Sequence, residues 1–215
     1  MSFPGERRAG ILVAPGSSPA NLLPDGVHTT KGTLVVTVRL PIVTERFLIR
    51  PMQPQDTADL FEVYRDAEGL RHLHREVPTS LESAGAWVRA KMERHERDGL
   101  SLWSVVQRRT GVVVGDAGLQ YERDDGGDVG LGGRLNRRYW HQGCATEVGA
   151  ALLAAGFDAG LTRIIAVTRP ANQPAMDVCD RLGMAFVQRS DYFGEGKGEW
   201  LVYEAFASCW SAPPS

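Results

Sequence analysis

The sequence is short of several things, and each shortage removes a class of function. Cysteine is scarce: 215 residues contain three, Cys144, Cys179 and Cys209. They are widely spaced and form no Cys-x-x-Cys pair, which removes the usual spacings of structural zinc and thiol redox centres. An odd number of cysteines, two of them in segments that read as helices, suits a reduced setting, so a cytoplasmic location is expected. An excess of one charge is also lacking. The 24 Lys and Arg nearly balance 26 Asp and Glu, leaving a formal charge of −2 and no global field toward nucleic acid or anionic lipid. No stretch approaches the roughly 20 apolar residues that a membrane helix needs. Near the start, Arg7 and Arg8 precede only the short run Ile11–Ala14 before Pro15 and Gly16, too little for a signal-peptide core. No internal repeat occurs. Two phosphate-binding patterns are absent as well: there is no Gly-Lys-Ser/Thr loop and no GxGxxG spacing. No metal, nucleic-acid or membrane partner is therefore expected.

What is present suits one domain with appendages. Apolar residues make up 43% of the chain and charged residues 23%, enough for a core and an ordinary surface. Residues 1–33 are rich in Gly, Pro, Ser, Asn and Thr, and 1–41 read as a flexible arm. The arm holds one possible strand between Gly32 and Pro41, placed to pair with the domain, pair with a partner chain or lead into the next strand. The compact domain runs over 42–210, and 211–215 is a tail.

Within the domain, Arg46–Arg50 reads as a strand stopped by Pro51, and Pro54–Asp56 opens a helix that buries Leu60, Phe61 and Tyr64. Thr79-Ser-Leu-Glu82 reads as a capping box for a helix carrying Ala86, Trp87, Ala90 and Met92 and ending near Gly99. Strands follow at Leu102–Gln107, Val112–Tyr121 and Val129–Leu135, with Asp124–Gly127 as a hairpin turn between the last two. The rhythm then changes. A helix spans Gly143–Ala159, with Val148, Leu152, Ala155 and Ala159 on one stripe, and Gly160 stops it. A buried strand covers Arg163–Thr168. A helix capped by Asn172 runs to Leu182, and strands at Met184–Arg189 and Trp200–Phe206 close the chain. The fold class is α+β: a run of antiparallel strands gives way to β-α-β-α-β.

The most informative segment is Asn136-Arg-Arg-Tyr-Trp-His-Gln-Gly-Cys-Ala-Thr-Glu147. A strand ends, a turn follows and a helix begins within about ten residues. Gly143 and the small residues Cys144, Ala145 and Thr146 leave the helix's first N–H groups accessible, and the helix dipole adds partial positive charge. Such a start suits phosphate, and Arg134, Arg137 and Arg138 add charge nearby.

This loop and four other segments together resemble the GCN5-related N-acetyltransferase (GNAT) superfamily, in particular its RimJ/RimL-like branch. The others are Thr44–Pro51, Gly115–Leu119, Thr168-Arg-Pro-x-Asn172 and Arg181-Leu-Gly183, and the resemblance covers about residues 43–206. It implies a mixed, mostly antiparallel central sheet flanked by helices, behind an N-terminal extension. It also implies acetyl-CoA as cosubstrate. The phosphate loop falls on Trp140, His141, Gln142, Gly143, Cys144 and Ala145, with Thr146 beside it. His141 stands where the family usually has Gly. Gly133, Arg134 and Leu135 take the role of the splayed strand that pairs with the pantetheine arm, and Asn172 that of a contact near the thiol.

The resemblance implies direct attack of a neutral amine on the acetyl thioester, with no covalent enzyme intermediate. Two departures bear on mechanism. The branch commonly reads Glu-Leu-Gly-Tyr where this chain has Gly130-Leu-Gly-Gly133, and a frequent Ser is Ala175. The base is left open among Asp116, Glu122, His72, His74 and water-mediated deprotonation, and the acid between Tyr192 and Tyr203. The acceptor is an amine on a protein N-terminus or a small molecule. A non-catalytic acyl-CoA-binding module and a transferase of longer acyl groups are the alternatives. Monomer and homodimer both stay open.

Overall fold

The structure is a computed structural model, and it describes residues 27–30, 33–66, 71, 77–123, 127–194 and 196–213. Two short strands come first, β1 (Val27–Thr30) and β2 (Thr33–Val36), paired antiparallel as a hairpin of their own. The strand expected at the end of the arm thus pairs locally and does not join the main sheet. Just beyond it, Val36, Val38 and Leu40 pack on the main core, and Val38 is almost fully buried. The alternation of apolar residues at 36, 38 and 40 turns one side of this segment inward.

The main sheet has eight strands in the order β3-β4-β5-β6-β7-β8-β10-β9. They are β3 (Ile42–Val43), β4 (Phe47–Arg50), β5 (Ser101–Gln107), β6 (Val113–Tyr121), β7 (Val129–Leu135), β8 (Arg163–Thr168), β9 (Ala185–Ser190) and β10 (Trp200–Phe206). Every described neighbouring pair is antiparallel except β7 and β8. The helices are α1 (Thr57–Tyr64), α2 (Leu81–Asp98), α3 (Cys144–Asp158) and α4 (Gln173–Arg181). This is the mixed, mostly antiparallel sheet with flanking helices that the resemblance implies.

Two apolar layers hold the sheet. α3 and α4 lie on one face, where Trp103, Leu119, Leu152, Leu153 and Ile164 are completely buried. Truncating one of these leucines to Ala costs about 2–5 kcal/mol. On the other face α1 and α2 cover Met52, Leu60, Tyr64, Val88, Leu102, Val106 and Val113. α1 buries Leu60, Val63 and Tyr64, with Phe61 only half covered.

The capping box of α2 differs from the expectation by one residue. Ser80 is the N-cap and Ser83 its partner: Ser80 Oγ accepts from Ser83 N–H and Ser83 Oγ accepts from Ser80 N–H. Two adjacent hydroxyl-bearing candidates, Thr79 and Ser80, make the register ambiguous in sequence, and the extended backbone at Ser80 decides it. That register buries Ala84 and Val88, while Ala86 and Ala90 face solvent.

A candidate acyl-carrier site where the sheet opens

β7 and β8 pair only at Gly130–Ile165 among the described residues. Beyond that point the strands separate, so the β8-facing edge of β7 from Leu131 to Leu135 presents backbone groups that β8 does not pair. Its other edge is fully paired with β6, from Tyr121–Val129 through Gly115–Leu135. An open strand edge is a template for another extended chain. At Gly133 the backbone has φ 150° and a Cβ would lie 2.5 Å from Ala117 Cα, so a side chain there is excluded and the strand keeps its close contact with β6.

The open edge leads directly into the loop before α3. Asn136 N–H donates to Val114 O (2.8 Å), which pins the end of β7. Trp140 Nε1–H donates to Leu135 O (2.8 Å), and Gln142 Nε2–H donates to Arg138 O (2.6 Å), folding the loop back on itself. His141 (φ 56°) and Gly143 (φ 72°) are both left-handed. Left-handed residues in a turn swing neighbouring N–H groups to one side, the geometry of anion-binding nests.

α3 then begins without a side-chain cap. Glu147 N–H makes the bond to Gly143 O (3.0 Å), so the N–H groups of Cys144, Ala145 and Thr146 precede the helix's own ladder. Thr146 Oγ1 is buried and has no partner. Cys144 is buried too, and burial pushes its thiol up, which makes it a small packing residue and a poor nucleophile.

A tether from the far end of the sheet holds this loop. Arg46, just before β4, donates through N–H and Nε–H to Glu147 (2.8 and 2.5 Å) and through Nη1–H to Gln142 O (2.9 Å). Burial alone raises the Glu147 carboxyl, but hydrogen bonds from Thr44 and Arg46 outweigh it and hold the group below the usual carboxylate range. The loop is therefore braced at both Gln142 and Glu147 by one arginine. Free amides, small side chains, an orphaned hydroxyl and an open strand edge fit the phosphates and pantetheine arm of CoA.

The other sequence-predicted residues fall in three places. Asp116 is completely buried beneath α1, and its Oδ2 accepts from Tyr64 O–H. It stands opposite Ser104 on β5 and Arg134 on β7. The Arg134 guanidinium lies 4.2 Å above the Tyr64 ring. Burial pushes the Asp116 carboxyl up, against the pull of Arg134 and Tyr64. Asp116 Oδ1 and Arg134 Nε and Nη1 are buried without hydrogen-bond partners.

Glu122 lies past the end of β6, and its carboxylate sits against Gly130. Tyr192 O–H donates to Asp128 Oδ2 (2.9 Å), and Asp128 pairs with Arg163 (2.5 Å) at the start of β8. Burial, and then the Asp128 bond, raise the Tyr192 hydroxyl. Tyr203 is buried on the opposite face, edge-on to Phe186 (5.6 Å). Asn172 caps α4, its Oδ1 accepting from Ala175 N–H (3.4 Å). His72 and His74 lie outside the described residues, as do 124–126 of the expected turn. No described group of three or more His, Cys, Asp or Glu is placed to hold a metal, and no described helix is long and apolar enough to cross a membrane.

Sequence reasoning named the loop and missed what fixes it. Arg46 was visible only as part of an opening motif, and its partner lies 101 positions away. Tyr64 reads as core in the sequence and is buried, but its hydroxyl on Asp116 depends on how α1 lies over β6.

The chain is 25% identical over 142 residues to the uncharacterized N-acetyltransferase p20 of Bacillus licheniformis, covering 66% of this chain and 80% of that protein. The fold is similar to that of a GNAT-family acetyltransferase from Bacillus anthracis (TM-score 0.69, 22% identity, 79% of this chain and all of that one). It is also similar to that of RimJ from Mycobacterium smegmatis, solved with CoA-disulfide (TM-score 0.66, 18% identity, 75% and 82% of the two chains). Residues 46–185 match the family described as the acetyltransferase (GNAT) domain, and the chain belongs to that family.

Proposed function

We propose that this enzyme transfers the acetyl group of acetyl-CoA to a primary amine, on a protein N-terminus or a small molecule, by direct attack. The observation that carries the reading is the coincidence of two openings. The sheet parts beyond Gly130–Ile165, and α3 starts uncapped at the end of the same strand. An extended pantetheine arm adds to the β7 edge, its phosphates meet the amides of Cys144–Thr146, and its thioester then lies toward the point where the strands meet. Holding thioester and amine together supplies much of the rate. N–H groups near Leu131–Gly133 are the donors for the charge that develops on the carbonyl oxygen. Asn172, in the turn between β8 and α4, contacts the arm in this reading while capping α4.

The test is a thermal-shift titration with acetyl-CoA, CoA and butyryl-CoA, alongside thiol release over an amine panel. A ligand that binds only the folded state raises Tm with its concentration. The reading expects a shift with acetyl-CoA and amine-dependent thiol release. No shift with any CoA species would sink the site. A shift without thiol release across the panel would favour a binding module. The longer acyl group is included because, among the described residues and apart from its chain neighbours, no heavy atom lies within 4 Å of where a Cβ on Gly132 would be. A faster reaction with butyryl-CoA would assign that space to the acyl chain.

A further inference from the structure

Every other neighbouring pair in the main sheet is matched at more than one position, but β7 and β8 share only Gly130–Ile165 among the described residues. One ladder position does little to fix where two strands part, and here side chains do it. Two residues back along each strand Asp128 stands across from Arg163, and Arg163 Nη1–H donates to Asp128 Oδ1 (2.5 Å). Arg163 Nε–H donates to Glu204 Oε2 of β10 (2.8 Å), so one guanidinium links the start of β7 to β8 and β10. The Asp128 carbonyl accepts from Glu122 N–H (3.0 Å), which ties its backbone to the end of β6. Arg163 and Asp128 are each about a third exposed, so their pair adds little to stability. Its importance is geometric, because it stands one step behind the point where the sheet opens.

The second oxygen of Asp128 is used as well. Tyr192, in the segment between β9 and β10, donates its O–H to Oδ2 (2.9 Å). From Tyr192 a row of rings continues edge to face, to Phe193 (5.0 Å) and then to Trp200 (4.9 Å). The Arg169 guanidinium closes the row, 3.7 Å over Trp200. Arg169 directly follows β8, so the row leads from the start of β8 to its far end. Ile164, Ala166 and Leu201 point into the layer under α3 and α4, so Arg163, Ile165 and Trp200, one position away, point to the other side. On the α3 side the opening is filled. Leu131 and Ala166 pack in that core, and a Cβ on Gly149 of α3 would lie 2.8 Å from Leu182 and 3.7 Å from Leu131. An acceptor therefore reaches the parting strands from the side of the ring row.

From this geometry, and resting on the acetyltransfer reading above, we infer that Asp128 is a positioning residue with two separable duties. Through Arg163, its Oδ1 fixes where the slot for the acyl carrier begins. Through Tyr192, its Oδ2 holds the ring row in place as the wall against which the acceptor amine is seated. Asp128 touches neither substrate. It acts on the carrier by way of the strands and on the acceptor by way of the rings, so the two effects come apart when Tyr192 alone is changed.

The experiment compares the full-length wild type with Asp128→Ala, Tyr192→Phe, the double variant and Ile49→Val. The last is a core change on β4, three strands from β7, and serves as a control for stability alone. Acetyl-CoA affinity is measured by calorimetry, and amine KM by thiol release with spermidine and an alanine-initiated peptide. Asp128→Ala is expected to weaken acetyl-CoA binding and raise the amine KM, each by at least about tenfold, the scale of a lost hydrogen bond to a charged group. Tyr192→Phe is expected to raise the amine KM by at least about tenfold and to leave acetyl-CoA affinity within about twofold. The double variant has the amine KM of Asp128→Ala, because the two residues act as one unit on the acceptor. Ile49→Val lowers Tm and moves neither constant. An unchanged amine KM in Tyr192→Phe, an unchanged acetyl-CoA affinity in Asp128→Ala, or amine losses that multiply in the double variant would each overturn the assignment. Tyr192→Phe removes one hydroxyl and keeps the ring, so it decides the second duty even where Asp128→Ala does not fold. A wild type that binds acetyl-CoA yet acetylates neither amine would overturn the transferase reading, while the Asp128→Ala isotherm still decides the first duty.

Discussion

The helices α2 and α3 begin in opposite ways. At the start of α2, Ser80 and Ser83 satisfy each other's backbone N–H groups. At the start of α3 no side chain does this, and the hydroxyl of its first turn, Thr146 Oγ1, is itself buried without a partner. A cap is worth about 0.5–2 kcal/mol, so leaving α3 uncapped is a cost the fold sustains elsewhere. The contrast separates an element built for stability from one held ready for a ligand. The Arg46–Glu147 tether fits this division, since it braces the loop from outside and leaves the first amides of α3 open.

The change that most strongly breaks the contrast puts a negative group into the open start. Ala145 is exposed in the first turn of α3. Ala145→Asp is expected to stabilise the free protein slightly, by about 0.3–1 kcal/mol, because a carboxylate suits a helix N-terminus. The same side chain competes with the phosphates and weakens acetyl-CoA binding by about a hundredfold, roughly 2.7 kcal/mol. Opposite signs in a melting curve and a binding isotherm are the signature.

Arg46→Ala removes the brace and is expected to weaken binding by about tenfold, roughly 1.4 kcal/mol. The gain in Tm on saturating with acetyl-CoA shrinks accordingly. The control at the other helix runs the other way. Ser80→Ala is expected to cost about 1 kcal/mol of stability, a fall of about 2–4 °C in Tm, with no change in acetyl-CoA affinity.

The smallest effect is one of pH. Glu147 has a folded carboxyl below its ordinary value, so the stability it contributes is present above the unfolded value of about 4.3 and is lost as pH falls through the folded one. Glu147→Gln should therefore be less stable than wild type at neutral pH. The gap should close below pH ~4, as acid melting curves of the two proteins would show. Its size is a fraction of a kcal/mol, since the Arg46 side chain is 40% exposed and solvent screens the pair.

What the sequence made legible follows the range of the interactions. The loop from Trp140 to Thr146 and the cap at Asn172 are local, written in residues a few positions apart, and the structure places them at a helix start each. Strand β7 was legible to the residue. Its separation from β8 was reached through the resemblance, because splay is a relation between two strands that neither spells out. The α2 cap was found one residue early, since neighbouring Thr79 and Ser80 both satisfy the pattern. The tether of Arg46 to Glu147 and the seat of Glu122 on Gly130 were beyond local reading. The first joins residues 101 positions apart, and the second depends on the register of the β6–β7 hairpin.

The most direct measurement is calorimetric titration of acetyl-CoA into the wild type and into Ala145→Asp, with melting curves of both free proteins. The account predicts tight binding to the wild type and at least about a hundredfold weaker binding to a variant that melts no lower. Equal affinity in the two proteins would contradict it, because the amides at the start of α3 would then hold no part of the ligand.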